Sequence, residues 1–194
     1  MKKFLIYTIL ISISFYSFYY YFFKRDIIYT TDICHIMDRR PLWNYDLNKI
    51  EDEYKISKFI ILSIINQESS FKGSAKPPFK KIFGFLPTWN RLSSSYGYSQ
   101  AINATWKLYK KQNNRQDAKR NDFYDSAEFI AWYILKSNHL NNISTNDTFN
   151  LYLSYHEGWG GFNKKSYSNN KKLLNIAKKV KKIEEKYKKD FNNC

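Results

Sequence analysis

The residue with the clearest chemical potential is an acid at the end of an apolar run. Glu68 follows Phe59, Ile60, Ile61, Leu62, Ile64 and Ile65 and precedes a stretch rich in proline and glycine. Burial there disfavours the carboxylate and raises its pKa, and the partial negative charge of a helix C-terminus pushes the same way. A carboxyl of that kind can donate a proton near neutral pH, as the acid of a glycosidase must. Against this, nine basic residues and no acidic one lie between Ser69 and Gln116, and cations close to Glu68 would lower its pKa. A surface glutamate at a frayed helix end fits the periodicity equally well. The histidines His35, His139 and His156 are far apart in the chain, and two cysteines are too few for a four-cysteine zinc site. No metal site and no cofactor is expected from such spacing.

The elements that must hold Glu68 read as helices. Asp46 to Tyr54 puts Leu47, Ile50 and Tyr54 on one face, the spacing of an amphipathic helix. Ile56 to Ser70 leaves almost no polar face, which marks a buried central helix. Phe71 to Ser99, with Pro77, Pro78, Pro87, Gly73, Gly84 and Gly97, reads as a long loop. Asn103 to Gln112 follows as a short helix with Trp106 and Tyr109 inward. Asp122 and Asp125 start a helix carrying Ala127, Ile130, Ala131 and Ile134. Asp147 and Thr148 open another that passes Tyr152 and Tyr155 and stops at Gly158. Lys171 to Phe191 aligns Leu173, Ile176, Val180, Ile183 and Tyr187 in a last helix. No run reads clearly as a strand, so the fold is expected to be mainly α, one domain over residues 27–194.

Residues 1–26 form a separate segment. Phe4 to Phe23 carries no charged side chain and is flanked by Lys2, Lys3, Lys24 and Arg25. A run of about 20 apolar residues can cross a bilayer, whereas the apolar part of a signal peptide spans about 7–15. Tyr16, Tyr19, Tyr20 and Tyr21 crowd the far end, as aromatic rings do at a membrane interface. The expectation is an uncleaved transmembrane signal-anchor, with the membrane as a partner and the domain facing the periplasm. A cleaved signal peptide and a secreted or periplasmic protein is the alternative. Export gives meaning to Cys34 and Cys194. A bridge between them would bracket the whole domain in an oxidising compartment; free thiols, or lipid modification of Cys34, are the other readings.

Three short segments carry a resemblance to a known family. Gln67-Glu68-Ser69-Ser70-Phe71, Tyr96-Gly97-Tyr98-Ser99-Gln100 and Tyr152-Leu153-Ser154-Tyr155-His156-Glu157-Gly158 resemble the motifs of lytic transglycosylases of the SLT, lysozyme-like group. The usual forms are Glu-Ser, Gly-Leu-x-Gln and Ala-Tyr-Asn, in that order. The match covers roughly Asp46 to Phe162 and is similar to a compact, single-domain branch in which a cysteine near each end is usual. The resemblance implies a lysozyme-like helical domain that cleaves the β-1,4 bond between N-acetylmuramic acid and N-acetylglucosamine in peptidoglycan. It makes Glu68 the catalytic acid/base and Ser69 the residue that orients it. Gln100 becomes the glutamine of the second motif, and Tyr155 the tyrosine that faces Glu68. His156 stands where asparagine is usual, and Tyr98-Ser99 replaces a Leu-Met type pair. Tyr98, His156 and Trp159, the last among glycines, are expected to contact the glycan.

Chemistry agrees with one carboxyl. A hydrolase that uses water normally has a second, and no acid lies between Ser69 and Gln116. If the substrate's N-acetyl oxygen supports the charge at C1, Glu68 can protonate the leaving oxygen and then accept the proton of the C6 hydroxyl, closing a 1,6-anhydro ring. Glu157 is the candidate second carboxyl, or a helix-end cap. The alternatives are a goose-type-lysozyme-like hydrolase and a non-catalytic module that binds wall or another anionic polymer.

The 194 residues carry a formal net charge of +15, which by itself invites a nucleic-acid reading. The charge is not spread evenly. Lys164 to Lys189 holds eleven lysines against two glutamates, a solvated helix face or one attracted to wall carboxylates or anionic lipid. Export and the Glu68 constellation leave no role for nucleic acid as a partner.

Overall fold

The computed structural model describes the backbone of residues 2–23 and 32–194, and the side chains of residues 7–18 and 32–194. The chain runs α1 (Lys2–Phe23), α2 (Ile33–Arg39), α3 (Pro41–Tyr54), α4 (Lys58–Ser69), β1 (Phe79–Ile82), β2 (Leu86–Arg91), α5 (Asn103–Gln112), α6 (Phe123–Asn141), α7 (Thr148–Asn163) and α8 (Lys171–Phe191). The mainly helical expectation holds for the body.

The expectation for the first segment does not. Residues 2–23 are helical, yet among the described residues no helix is long and apolar enough to cross a membrane. At about 1.5 Å per residue its 22 residues have the reach; the side chains described within it are those of Tyr7 to Phe18. Among those side chains, Tyr7, Thr8, Ser12, Ser14, Tyr16 and Ser17 bear hydroxyls. The transmembrane signal-anchor, the membrane as a partner through this helix and a membrane-anchored location are therefore overturned. The flanking residues Lys24 and Arg25 lie outside the described residues.

The core is built around α4. Ser57 caps its N-terminus, its hydroxyl accepting from the Phe59 amide. Ile60, Ile61, Leu62, Ile64 and Ile65 are all buried, because α4 is enclosed by α3, α6 and α8. Helix α8 closes one side with Leu173, Ala177, Val180 and Tyr187, a stripe spaced to face inward while its lysines face water. Tyr187 accepts a hydrogen bond from Asn66 Nδ2 at 2.8 Å. Cys34 and Cys194 are joined by a disulfide across 160 positions, tying α2 to the end of α8.

Four features depart from the sequence reading. Helix α3 begins at Pro41, which occupies its first turn, where a missing amide hydrogen costs nothing. Helix α2 precedes it, capped by Asp32 through the Cys34 and His35 amides. The long loop contains a two-stranded antiparallel hairpin, β1 with β2, pairing Phe79 with Arg91 and Ile82 with Leu86. Both strands are largely exposed, so neither shows the alternation that reveals a half-buried strand. Helix α7 breaks at Gly158 (φ 75°, ψ 159°) and then resumes to Asn163.

Candidate active site

Glu68 occupies the last turn of α4. The helix stops there because Ser70 turns left-handed (φ 50°) and its amide donates back to Asn66. The carboxyl opens into a cleft of about 500 Å³ lined by Ser93, Ser95, Gln100, Thr105, Phe129 and Tyr133, and closed by Tyr155, His156, Glu157 and Gly158. Hydroxyls and aromatic faces line it. Glu68 Oε1 accepts a hydrogen bond of 2.9 Å from Tyr152 Oη. Burial raises the Glu68 pKa above the ordinary carboxylate range, opposed by the Tyr152 hydrogen bond and by His156. The nine basic residues after Ser69 are not among the groups that act on it. Desolvation therefore decides the direction.

The second motif is a tight loop. Gly97 has φ 79°, and a Cβ there would lie 1.8 Å from the Arg120 carbonyl oxygen, so only glycine fits. The Gly97 amide donates to Ala75, the Tyr98 amide donates to Arg120, and Arg120 Nη1 donates to the carbonyls of Ser94 and Ala101 at 2.8 Å. Gln100 is also left-handed (φ 50°). Its Nε2 donates to the carbonyls of Ala75 (3.0 Å) and Gly97 (2.8 Å), and its Oε1 accepts from Ser95 Oγ (3.2 Å). Gln100 lines the cleft, but its amide is occupied in holding the loop.

The third motif lies on α7, which packs on α6 and α8. Tyr155 lines the cleft, and its hydroxyl donates to the Ser99 carbonyl at 2.6 Å, joining the second and third motifs. Tyr152, one turn earlier, makes the direct bond to Glu68. Its position three residues before Tyr155 put it on the same helix face, a signal present in the sequence without a way to rank the two tyrosines. His156 Nδ1 is 3.0 Å from Glu157 Oε1, and the other oxygen of Glu157 accepts from Ser166 Oγ. That hydrogen bond holds the Glu157 carboxyl below its usual pKa, with burial opposing and His156 assisting.

The remaining expected residues lie elsewhere. Ser69 is buried and its hydroxyl donates to the Ile65 carbonyl at 3.0 Å, a helix back-bond rather than a hold on Glu68. Tyr98 packs edge-on against Trp43 (5.7 Å) and Phe123 (5.6 Å), outside the cleft lining. Trp159 stacks on Tyr133 at 4.6 Å and donates from Nε1 to Ser137 Oγ, so it backs the cleft wall. A second acidic cluster is structural: Glu128 accepts from Tyr54 (3.3 Å), Tyr109 (2.5 Å) and Arg115, and Arg115 also pairs with Asp125 at 2.5 Å. Among the described residues, no group of three or more His, Cys, Asp or Glu converges to hold a metal ion.

Comparison with known proteins agrees with this arrangement. No curated protein matches the chain. A family model described as "Transglycosylase SLT domain" matches residues 8–194, nearly the whole chain. A helical core that delivers a desolvated glutamate to a cleft walled by the second and third motifs fits that match, and the chain belongs to the transglycosylase SLT domain family, whose members are enzymes of the lytic-transglycosylase type.

Proposed function

We propose that this protein cleaves the β-1,4 bond between N-acetylmuramic acid and N-acetylglucosamine in peptidoglycan, with Glu68 as acid and then base. The observation that carries the reading is the environment of Glu68: desolvated, in an open cleft, and hydrogen-bonded by Tyr152. Protonated Glu68 donates to the glycosidic oxygen as the C1–O4 bond breaks. The substrate's N-acetyl oxygen supports the charge left at C1. The C6 hydroxyl oxygen then bonds to C1, its proton returns to the Glu68 carboxylate, and the 1,6-anhydro sugar leaves. One carboxyl serves twice because the leaving group and the incoming hydroxyl need it in sequence. Tyr152 stabilises the carboxylate between the two transfers, and Tyr155 fixes the Ser99 backbone opposite. The setting is the cell envelope, with glycan strands as partner.

The test is Glu68→Gln with purified sacculi. The variant keeps the side chain's shape and loses the proton, so release of anhydro-muropeptides, read by mass spectrometry, should fall by about 10²–10⁴-fold. An undiminished yield would leave Glu68 outside the chemistry and favour a non-catalytic wall-binding module.

A further inference from the structure

The cleft holds a second proton-transfer group that the anhydro route does not use. His156 and Glu157 both line it, on the last turn of α7 before the break at Gly158. One Glu157 oxygen meets His156 Nδ1 and the other accepts from Ser166. An ionised carboxylate is only an acceptor, so Nδ1 carries the hydrogen of this contact, and in the neutral ring Nε2 has the lone pair. The carboxylate–imidazole order is the one by which hydrolases orient a general base. Glu157 itself makes a poor base, since both oxygens are engaged and the Ser166 bond stabilises its charge. Gly161 allows the close approach, because a Cβ there would stand 3.1 Å from both Glu157 Cβ and Ser166 Oγ. The ring also lies near the acid: Tyr152, which donates to Glu68, has its ring centroid 6.3 Å from that of His156. The His156 side chain is 46% exposed, so water reaches it.

We propose that the His156–Glu157 pair gives the enzyme a hydrolytic activity beside the anhydro-forming one, by activating water as an alternative acceptor at C1. The step rests on Glu68 being the acid. Glu68 gives its proton to O4 as the C1–O4 bond breaks; the water oxygen bonds to C1 and its proton passes to His156 Nε2. Glu68 is left as carboxylate and His156 as imidazolium, and proton exchange through solvent restores both. The net reaction consumes one water and leaves a reducing end. A two-group arrangement is what glycoside hydrolysis normally requires, with an imidazole here in place of the second carboxylate.

The experiment digests borohydride-reduced sacculi with the full-length protein, re-reduces the products, and counts new reduced ends against anhydro ends by mass spectrometry. The wild type should give both kinds. In His156→Asn the ratio of reduced to anhydro ends should fall by at least about tenfold, and Glu157→Gln should lower it in the same direction by freeing the ring. A wild type without new reduced ends, or an unchanged ratio in His156→Asn, overturns the proposal. Glu68→Gln separates the two readings: it should lose both products, and survival of both would sink the assignment of Glu68.

Discussion

Glu68 and Tyr152 illustrate how a carboxyl can be both raised and ready. Desolvation favours the neutral acid, and the Tyr152 hydroxyl partly restores the carboxylate by donating to Oε1 at 2.9 Å. In the proposed role of general acid Glu68 acts while protonated, so activity should fall as pH rises through its elevated pKa. Tyr152→Phe removes a bond that lowers this pKa. The alkaline limb of the kcat/KM profile should then move to higher pH, while the maximal rate drops by about tenfold or more as the carboxyl loses its orientation. A limb that stays in place or moves down would show that Tyr152 does not act on Glu68. Tyr155→Phe touches Glu68 less directly, since its hydroxyl bonds Ser99.

At the scale of elements, the cleft depends on two backbone and side-chain locks. Gly97→Ala places a methyl 1.8 Å from the Arg120 carbonyl oxygen at φ 79°. It should destabilise the fold by about 3 kcal/mol or more and release the loop bearing Gln100, seen as a lower urea midpoint and lost activity together. The second lock is Arg115, whose guanidinium neutralises Glu128 and Asp125 and pins the α5–α6 connection. Arg115→Met strands the Glu128 charge between Tyr54 and Tyr109 and should cost about 3–5 kcal/mol. Adding Glu128→Gln should recover part of that loss in a double-mutant cycle, because a neutral amide needs no counter-charge. Full additivity of the two losses would contradict the pairing.

For the whole molecule, the disulfide is the longest-range constraint. Cys34 and Cys194 close a loop of 160 positions, which the chain-entropy account values at about 5 kcal/mol. Cys34→Ser together with Cys194→Ser should lower the unfolding free energy by about 2–5 kcal/mol, measured by denaturant titration, and the native protein should show the same loss under reducing agent. An unchanged midpoint would mean that packing of α8 on α4 and α7 alone holds the C-terminus. The charge follows the same plan. The lysines of α8 stand away from its buried stripe, so much of the +15 lies on a face that the cleft does not use.

The amino-acid sequence alone determined the buried α4 with its terminal glutamate, the order of the three motifs, and the α8 stripe. Each is a local pattern: a run without a polar face, a short phrase, a 3.6-residue period. It failed where local patterns carry no sign. The hairpin from Phe79 to Arg91 is exposed on both faces, so burial imposed no alternation on it. The first helix reads as a membrane span from its lack of charge, whereas among the described residues no helix is long and apolar enough to cross a membrane. Only the tertiary structure chose between Tyr152 and Tyr155, turned Ser69 inward, withdrew Tyr98 and Trp159 behind the cleft, and paired His156 with Glu157. Those outcomes depend on where α4, α6 and α7 cross, and spacing along one chain does not encode a crossing.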